Sequence, residues 1–513
     1  MGQLRRQLTF FDLLILGIAG AVGTGVLFST AGMAAVAGPG VVLAWVIGAV
    51  MYMFIGLTYV DLGLTYPEAG GPSRYSLYSH GKATNMIGAF ADLIWYLFIP
   101  PVEALATVEG VNYFYPHLIA TGGNPTTAGA VLGIILMLIF LPFNYYGIRA
   151  FARSTNLLGA VKLVLYLLVA LGFIGFSHFD NFSHYGGLVP FGAGGLFAAI
   201  PLGMFAFGGI RVLPDYAEEI KNPRQLGKAI VWVVIGQAVL YLLLSVGLLA
   251  SINWARLHIA AGHWAGLSSI PGNPFLTISS NSHVAWLIVI TAIIAILGPF
   301  VTGYIYQGSG SRVMLAMSRT GLVSQKMRQI TQNTAIPIWA LVAFTVVGAI
   351  VAYIAAPLPS IYSLISDAVV AGYMGFAVNP PAMMSLRRLG QKGFLKHGNV
   401  VAVIAFASAS AIIYWSGWPS VPYATVLLAL ASIVFGLVYR VKENLGNALW
   451  YMVYIVFLTA MTYVGGVGAK NWFNVDIGTI IVVVVSLALF LPWGIASRLD
   501  QPIEPEADVA AAK

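Results

Sequence analysis

Two stretches of this sequence leave backbone groups unpaired inside apolar segments. "LLILGIAGAVGTGVLFSTAGMAAVA" carries Gly20, Gly23 and Gly25 within six residues, and each glycine weakens a helix by about 1 kcal/mol relative to alanine. "LFAAIPLGMFAFGGIRVLPDYAEEI" carries Gly208, Gly209 and Pro214. Unwound chain in a bilayer is tolerated only where its N–H and C=O groups line a cavity and find other partners. A zwitterion supplies both kinds. The N–H groups around Gly23, Thr24 and Gly25, at the positive end of the helix that follows, suit a carboxylate. The carbonyls near Ile18, Ala19 and Gly20, with those of Phe205, Ala206, Phe207 and Gly208, suit an ammonium.

Three charged side chains fall in the same kind of surroundings. Lys162 lies in "NLLGAVKLVLYLL", about ten residues or ~15 Å from the nearer membrane face, too far for easy snorkelling. A lysine at such depth is by default functional, and a proton carrier is the expected role. Glu103 follows Pro100 and Pro101 near mid-membrane, where it suits a substrate amine or a proton. Arg211 occupies the first turn of a half-helix, opposes its dipole and needs a carboxylate. Asp215 at i+4, Glu103 and Asp367 are the candidates. If Arg211 instead faces the cavity it selects acidic side chains, whereas an exposed Glu103 favours basic ones. Asp61, Glu218 and Glu219, with Arg74, Lys221, Arg312 and Arg319 close by, read as a gate of ion pairs at one membrane face.

These residues need membrane helices to hold them. The 513 residues are 59% hydrophobic and 8% charged, with a mean hydropathy of +0.87, against about 25% charged in soluble domains. The pattern predicts an all-α polytopic membrane protein of about fourteen spans. They lie near 9–36, 40–66, 84–113, 126–147, 152–177, 194–220, 227–251, 283–316, 336–356, 360–386, 398–416, 422–439, 447–466 and 475–496. The first segment is too long for the apolar core of a signal peptide. Of the 25 Lys and Arg, only Arg256 and Lys470 fall in loops on the outer side, and Lys162 and Arg211 lie within spans. This asymmetry predicts a multi-pass protein of the cell membrane with both termini cytoplasmic. The +8 charge is a topology signal and does not point to nucleic acid. With no cysteine, disulfides and thiolate sites are excluded. The outer connection 252–282 is expected to hold a short surface helix, and the polar tail 497–513 to be disordered.

The two breaks lie five spans apart. An odd number of spans per repeat inverts the second copy, and paired interruptions in two halves are the best sequence pointer to a transporter's central site. At this point the chain resembles the amino acid-polyamine-organocation superfamily of transporters. The resemblance rests on "GAVGTGVLF" (20–28), "YVDLGLTYPEAGGPSRY" (59–75), "FAFGGIRVLPDYAEEIKNPRQLGKAI" (205–230) and "SRVMLAMSRTGLVSQ" (311–325), in matching order over residues 8–390.

The resemblance implies a LeuT-type five-plus-five inverted repeat with discontinuous first and sixth spans. It makes residues 1–390 the transport core and 391–496 four accessory spans. It implies alternating access for an amino acid or amine, with Gly23, Thr24 and Gly25 on the substrate carboxylate and Phe205 or Phe207 as an aromatic gate. It also places Lys162, six residues after Asn156, where proton-coupled members carry a lysine and sodium-coupled relatives bind a cation. An ammonium there would stand against carbonyls of the first break and of span eight. Arg211 departs from the pattern, since many members carry an acid at that position.

The expected function is therefore a secondary transporter, a proton-coupled amino acid symporter, with an amino acid or amine exchanger as the alternative. Protons are the expected coupling ion and no other cofactor is expected. The expected partners are a small-molecule substrate and the bilayer, with the oligomeric state left open. An intramembrane enzyme is disfavoured, because His80, His117, His178, His184, His258, His263, His283 and His397 fall in loops or at span ends. A non-transporting sensor of the same fold is the other alternative.

Overall fold

The computed structural model describes residues 3–175, 179–357 and 361–504, without the side chains of 361–368. Among the described residues all regular structure is helical. In chain order the helices are α1 (Phe10–Ala21), α2 (Thr24–Ala37), α3 (Val41–Thr65), α4 (Tyr75–Asn112), α5 (Thr127–Tyr145) and α6 (Ile148–Gly175). They continue with α7 (Gly192–Met204), α8 (Gly209–Asp215), α9 (Gln225–Ala250), α10 (Pro274–Ser282), α11 (Ala285–Arg319) and α12 (Ile338–Ala355). The last six are α13 (Ile361–Arg388), α14 (Gly398–Trp415), α15 (Ser420–Val438), α16 (Leu445–Val464), α17 (Val475–Val485) and α18 (Leu491–Ala496).

Twelve stretches are long and apolar enough to cross a membrane. One of them, Thr24–Thr65, contains both α2 and α3, which Gly38, with φ of 59°, and Pro39 separate. The first and sixth spans are each two helices, α1 with α2 and α7 with α8. The third starts nine residues earlier than its expected 84, because Gly81, with φ of 80°, bends α4 instead of ending it. The loop 252–282 holds a 3-10 turn, Trp264–Ser269, and α10. Residues 505–513 of the expected disordered tail lie outside the described residues.

Local chemistry fixes the entry to the first break. Thr9 caps α1 through a reciprocal box, its hydroxyl accepting from Asp12 N–H while its own N–H donates to Asp12 Oδ2 at 2.7 Å. Upstream, residues 7 and 8 lie against 219–221, with Gln7 N–H and Leu8 N–H donating to Glu219 O.

Packing follows the spacing of the breaks. α3 packs on α9, α4 on α11 and α5 on α12, which pairs spans two, three and four with seven, eight and nine; α2 meets α7 and α1 meets α8. That is the pairing expected of two five-span repeats about an axis in the membrane plane. Among these twelve stretches α4 is the most enclosed, its most apolar window being 89% buried, while that of α15 is 22% buried and faces outward. The exposed apolar side chains on α5, α6, α12 and α15 form the lipid-facing surface.

Candidate functional site

The break in span one leaves Gly23 as the cap of α2, and Thr24 opens the helix. The group on that helix end is Glu103. Thr24 N–H donates to its two carboxylate oxygens at 3.3 and 3.2 Å, and Thr24 Oγ1 donates to Oε1 at 2.7 Å. Glu103 is fully buried, and these bonds with the helix dipole reduce the cost of placing its carboxyl there. A Cβ on Gly23 would sit 2.6 Å from Thr302 Oγ1 and 2.8 Å from Glu103 Oε1, which is why this position holds glycine. The carboxylate of α4 thus occupies the place that the sequence reserved for a substrate carboxylate.

Lys162 meets the same break from the other side. Its Nζ donates to Ala19 O at 2.7 Å, Gly298 O at 2.7 Å and Thr302 Oγ1 at 2.8 Å. Three acceptors match the three donors of an ammonium. They come from α1 and α11, so this one side chain of α6 ties the first break to span eight. Gly298 and Thr302 were not singled out in the sequence; a glycine and a threonine in a membrane helix carry no signal of their own. Tyr166, one turn from Lys162, donates to Gly23 O at 3.4 Å.

At the sixth span the chain passes from α7 through a 3-10 turn, Phe205–Phe207, to α8. The two phenylalanines separate here. Phe205 faces the first break, since a Cβ on Gly25 would lie 3.0 Å from its Cδ1. Phe207 packs into Trp45, Tyr52 and Tyr241, with ring centroids 5.7, 5.5 and 5.2 Å away. Ala206 O accepts from Tyr241 Oη. Ala19 O and Ala206 O, two of the carbonyls expected to hold a substrate ammonium, are therefore taken by side chains in this state. Gly208 abuts Tyr306 and Trp95, and Gly20 faces Ile305.

Arg211 corrects the expected pairing. Its Nη1 donates to Asp92 Oδ1 at 2.6 Å and its Nη2 to Gly372 O, with the guanidinium 4.6 Å from the Trp95 centroid and 3.9 Å from that of Phe376. Asp215 instead accepts from Tyr96 Oη, and Glu103 is spent on Thr24; the side chain of Asp367 lies outside the described residues. Asp92, in "GAFADLIWYLF", was overlooked although a carboxylate in an apolar run is itself the signal for a buried pair.

Among the described residues, four ion pairs cluster at the end of the bundle that carries the basic loops. Arg312 holds Glu219 bidentately at 2.8 and 3.0 Å, and Arg319 holds Glu218 at 2.6 and 3.0 Å. Arg74 lies 3.3 Å from Glu68. Asp61 accepts from Arg387 at 3.0 and 2.9 Å, and from Phe394 N–H and Leu395 N–H. Lys221, expected among them, is exposed and contributes only its N–H, to Leu8 O. His80, expected before its span, is buried within α4, with Nε2 2.7 Å from Gly494 O. On the opposite face a cavity of about 610 Å³ runs beside α2, lined by Phe28, Ala31, Ala35, Glu109 and Gly272.

Burial pushes the Glu219 carboxyl up against the pull of Arg312. For Glu218, burial also pushes up, but the hydrogen bonds and charge of Arg319 outweigh it and hold the group below the usual range. Acidification therefore neutralises Glu219 first. The stabilisation from Glu218 is full above about pH 4.3, the ordinary glutamate value, and is lost as pH falls through the lowered folded value. Ser309, buried one turn inside Arg312, gives a reporter in this cysteine-free chain. We expect Ser309→Cys to react slowly with maleimide, and Arg312→Ala to accelerate it at least tenfold, because a buried pair broken on one side costs about 3–5 kcal/mol. Equal rates would mean that the ion pairs do not form the closure.

Two interrupted spans face each other inside a polytopic helix bundle, each break tied to buried charged groups; this defines a membrane carrier for small polar solutes. The amino acid permease family matches residues 8–386, and the chain belongs to that family, within the amino acid-polyamine-organocation superfamily. It is similar to an aspartate-proton symporter of Bacillus subtilis (strain 168), 26% identical over 510 residues covering 95% of this chain and 96% of the relative. It is likewise similar to the glutamate/serine transporter AimA of the same organism, 28% identical over 524 residues covering 97% and 95%. The branched-chain amino acid permease BcaP of that organism is 25% identical over 467 residues, covering 87% and 95%. The protein is an amino acid transporter of this family.

Proposed function

We propose that the protein is a proton-coupled amino acid symporter of the cell membrane, working by alternating access with both termini cytoplasmic. The observation that carries the reading is the three-point hold of Lys162 on Ala19 O, Gly298 O and Thr302 Oγ1. An ammonium donates charge-assisted bonds to all three; a neutral amine keeps two donors and turns its lone pair to the Thr302 hydroxyl, so the three contacts become weaker neutral ones. Loss of the proton thus loosens α1 from α11, and the break in span one moves only when Lys162 discharges. The substrate carboxylate takes the N–H groups opening α2 and displaces Glu103 from Thr24. The ammonium takes carbonyls of the two breaks, and Phe205 closes over the pair. The ion pairs at the basic face keep the cytoplasmic side shut while the opposite cavity admits substrate. The name of the aspartate-proton symporter relative supports proton coupling.

Reconstitution into liposomes tests this directly. With labelled amino acids outside, an inside-alkaline gradient is expected to raise initial uptake at least tenfold over no gradient. Uptake indifferent to the gradient but dependent on internal amino acid would make the protein an exchanger.

A further inference from the structure

The ion pair of Arg211 and Asp92 does not satisfy its own surroundings. Arg211 Nε and the indole Nε1 of Trp95 are buried donors without an acceptor among the described residues, and the hydroxyls of Tyr52 and Tyr59 are likewise unpartnered. All four belong to side chains around one ring, Phe376. Its centroid lies 3.9 Å from the Arg211 guanidinium and 5.3, 6.3 and 6.3 Å from the rings of Tyr52, Tyr59 and Trp95. Arg and Trp nitrogens donate only, and most buried donors in folded proteins are paired.

This cluster adjoins the break in span six. One edge of Trp95 faces Gly372, whose carbonyl receives Arg211; the other, next to Nε1, faces Gly208, where a Cβ would lie 3.1 Å from Trp95 Cζ2. Phe205 stands 6.1 Å from the same indole. A substrate side chain leaving the breaks therefore meets Trp95 first and Arg211 behind it. Glu103, a buried carboxylate beside the breaks, lies at the opening of α2, where the substrate's own carboxylate, not its side chain, is proposed to bind.

Resting on the reading that the two breaks hold an amino acid, we infer that Arg211, with Trp95, Tyr52 and Tyr59, is the subsite for a negatively charged side chain, so that acidic amino acids are the transported class. Asp92 is its resident counterion, standing in when no such side chain is bound.

The test compares binding of aspartate with asparagine, and of glutamate with glutamine, on the purified full chain in nanodiscs. The wild-type protein is expected to prefer each acid over its amide at least tenfold, about 1.4 kcal/mol. Arg211→Gln is expected to bring both ratios close to one, and Arg211→Lys to restore part of the preference. Should Arg211→Gln fail to fold, Trp95→Phe keeps a ring over the guanidinium and removes only the indole donor; the ratios are expected to fall about threefold. Unchanged ratios in a folded Arg211→Gln or Trp95→Phe protein overturn the inference. A wild-type protein that binds amino acids without preferring the acids overturns it while leaving the central site standing. One that binds none of the four overturns the reading of the breaks as well.

Discussion

Gly25→Leu is expected to remove amino acid binding altogether. The reason is backbone against backbone: a Cβ at position 25 would lie 2.9 Å from both Cα and Cβ of Ala206 and 3.0 Å from Phe205 Cδ1. A flexible side-chain tip gives way, but the chain of Ala206 is held by the bond from Tyr241 to its carbonyl. Even alanine must push the two broken spans apart, in a core that tolerates little added volume. We expect Gly25→Ala to weaken binding by about tenfold, near 1.4 kcal/mol, and leucine to leave no measurable affinity in a protein that still elutes as a single folded species. Titration with the labelled amino acid is the measurement. Unchanged affinity in Gly25→Leu would reduce the glycine motif to a packing device of the kind common between membrane helices.

The second large effect is on coupling. Lys162→Ala is expected to abolish gradient-driven uptake. The substitution strips Ala19 O and Gly298 O of a buried donor, each worth about 1–3 kcal/mol, so the melting temperature falls as well. A stability loss alone, however, leaves the response to the gradient intact in whatever fraction is folded. The decisive quantity is the ratio of uptake with and without an inside-alkaline gradient, normalised to folded protein. That ratio is expected to drop to one in Lys162→Ala and in the longer, uncharged Lys162→Met. A folded variant that retains the full ratio would refute the proton role.

The sites of broken helix and of buried charge were legible because each violates a rule of the bilayer. Glycines at 20, 23 and 25 advertise unpaired backbone, and Lys162 advertises a cost that something must offset. What escaped were the partners. Asp92 and Arg211 are 119 residues apart, and no local spacing links them; i+4 favoured Asp215, which the bundle turns toward Tyr96. Glu103 stands between two roles in the sequence because spacing gives its helix but not that helix's rotation. Phe205 and Phe207 were indistinguishable for a like reason: two residues apart in a 3-10 turn, they point in different directions, one to Gly25 and one to Trp45. The start of α4 was missed because Gly81 bends the helix where glycine more often ends one.

α4 links the two broken spans. Its 38 residues hold, through Glu103, the opening of one broken span and, through Asp92, the arginine on the other. Two buried carboxylates thus join this common rod to both broken spans. Under the proposed transport cycle the two halves of the molecule are levers pinned to one shaft, and the substrate's anionic groups release the pins by taking their place.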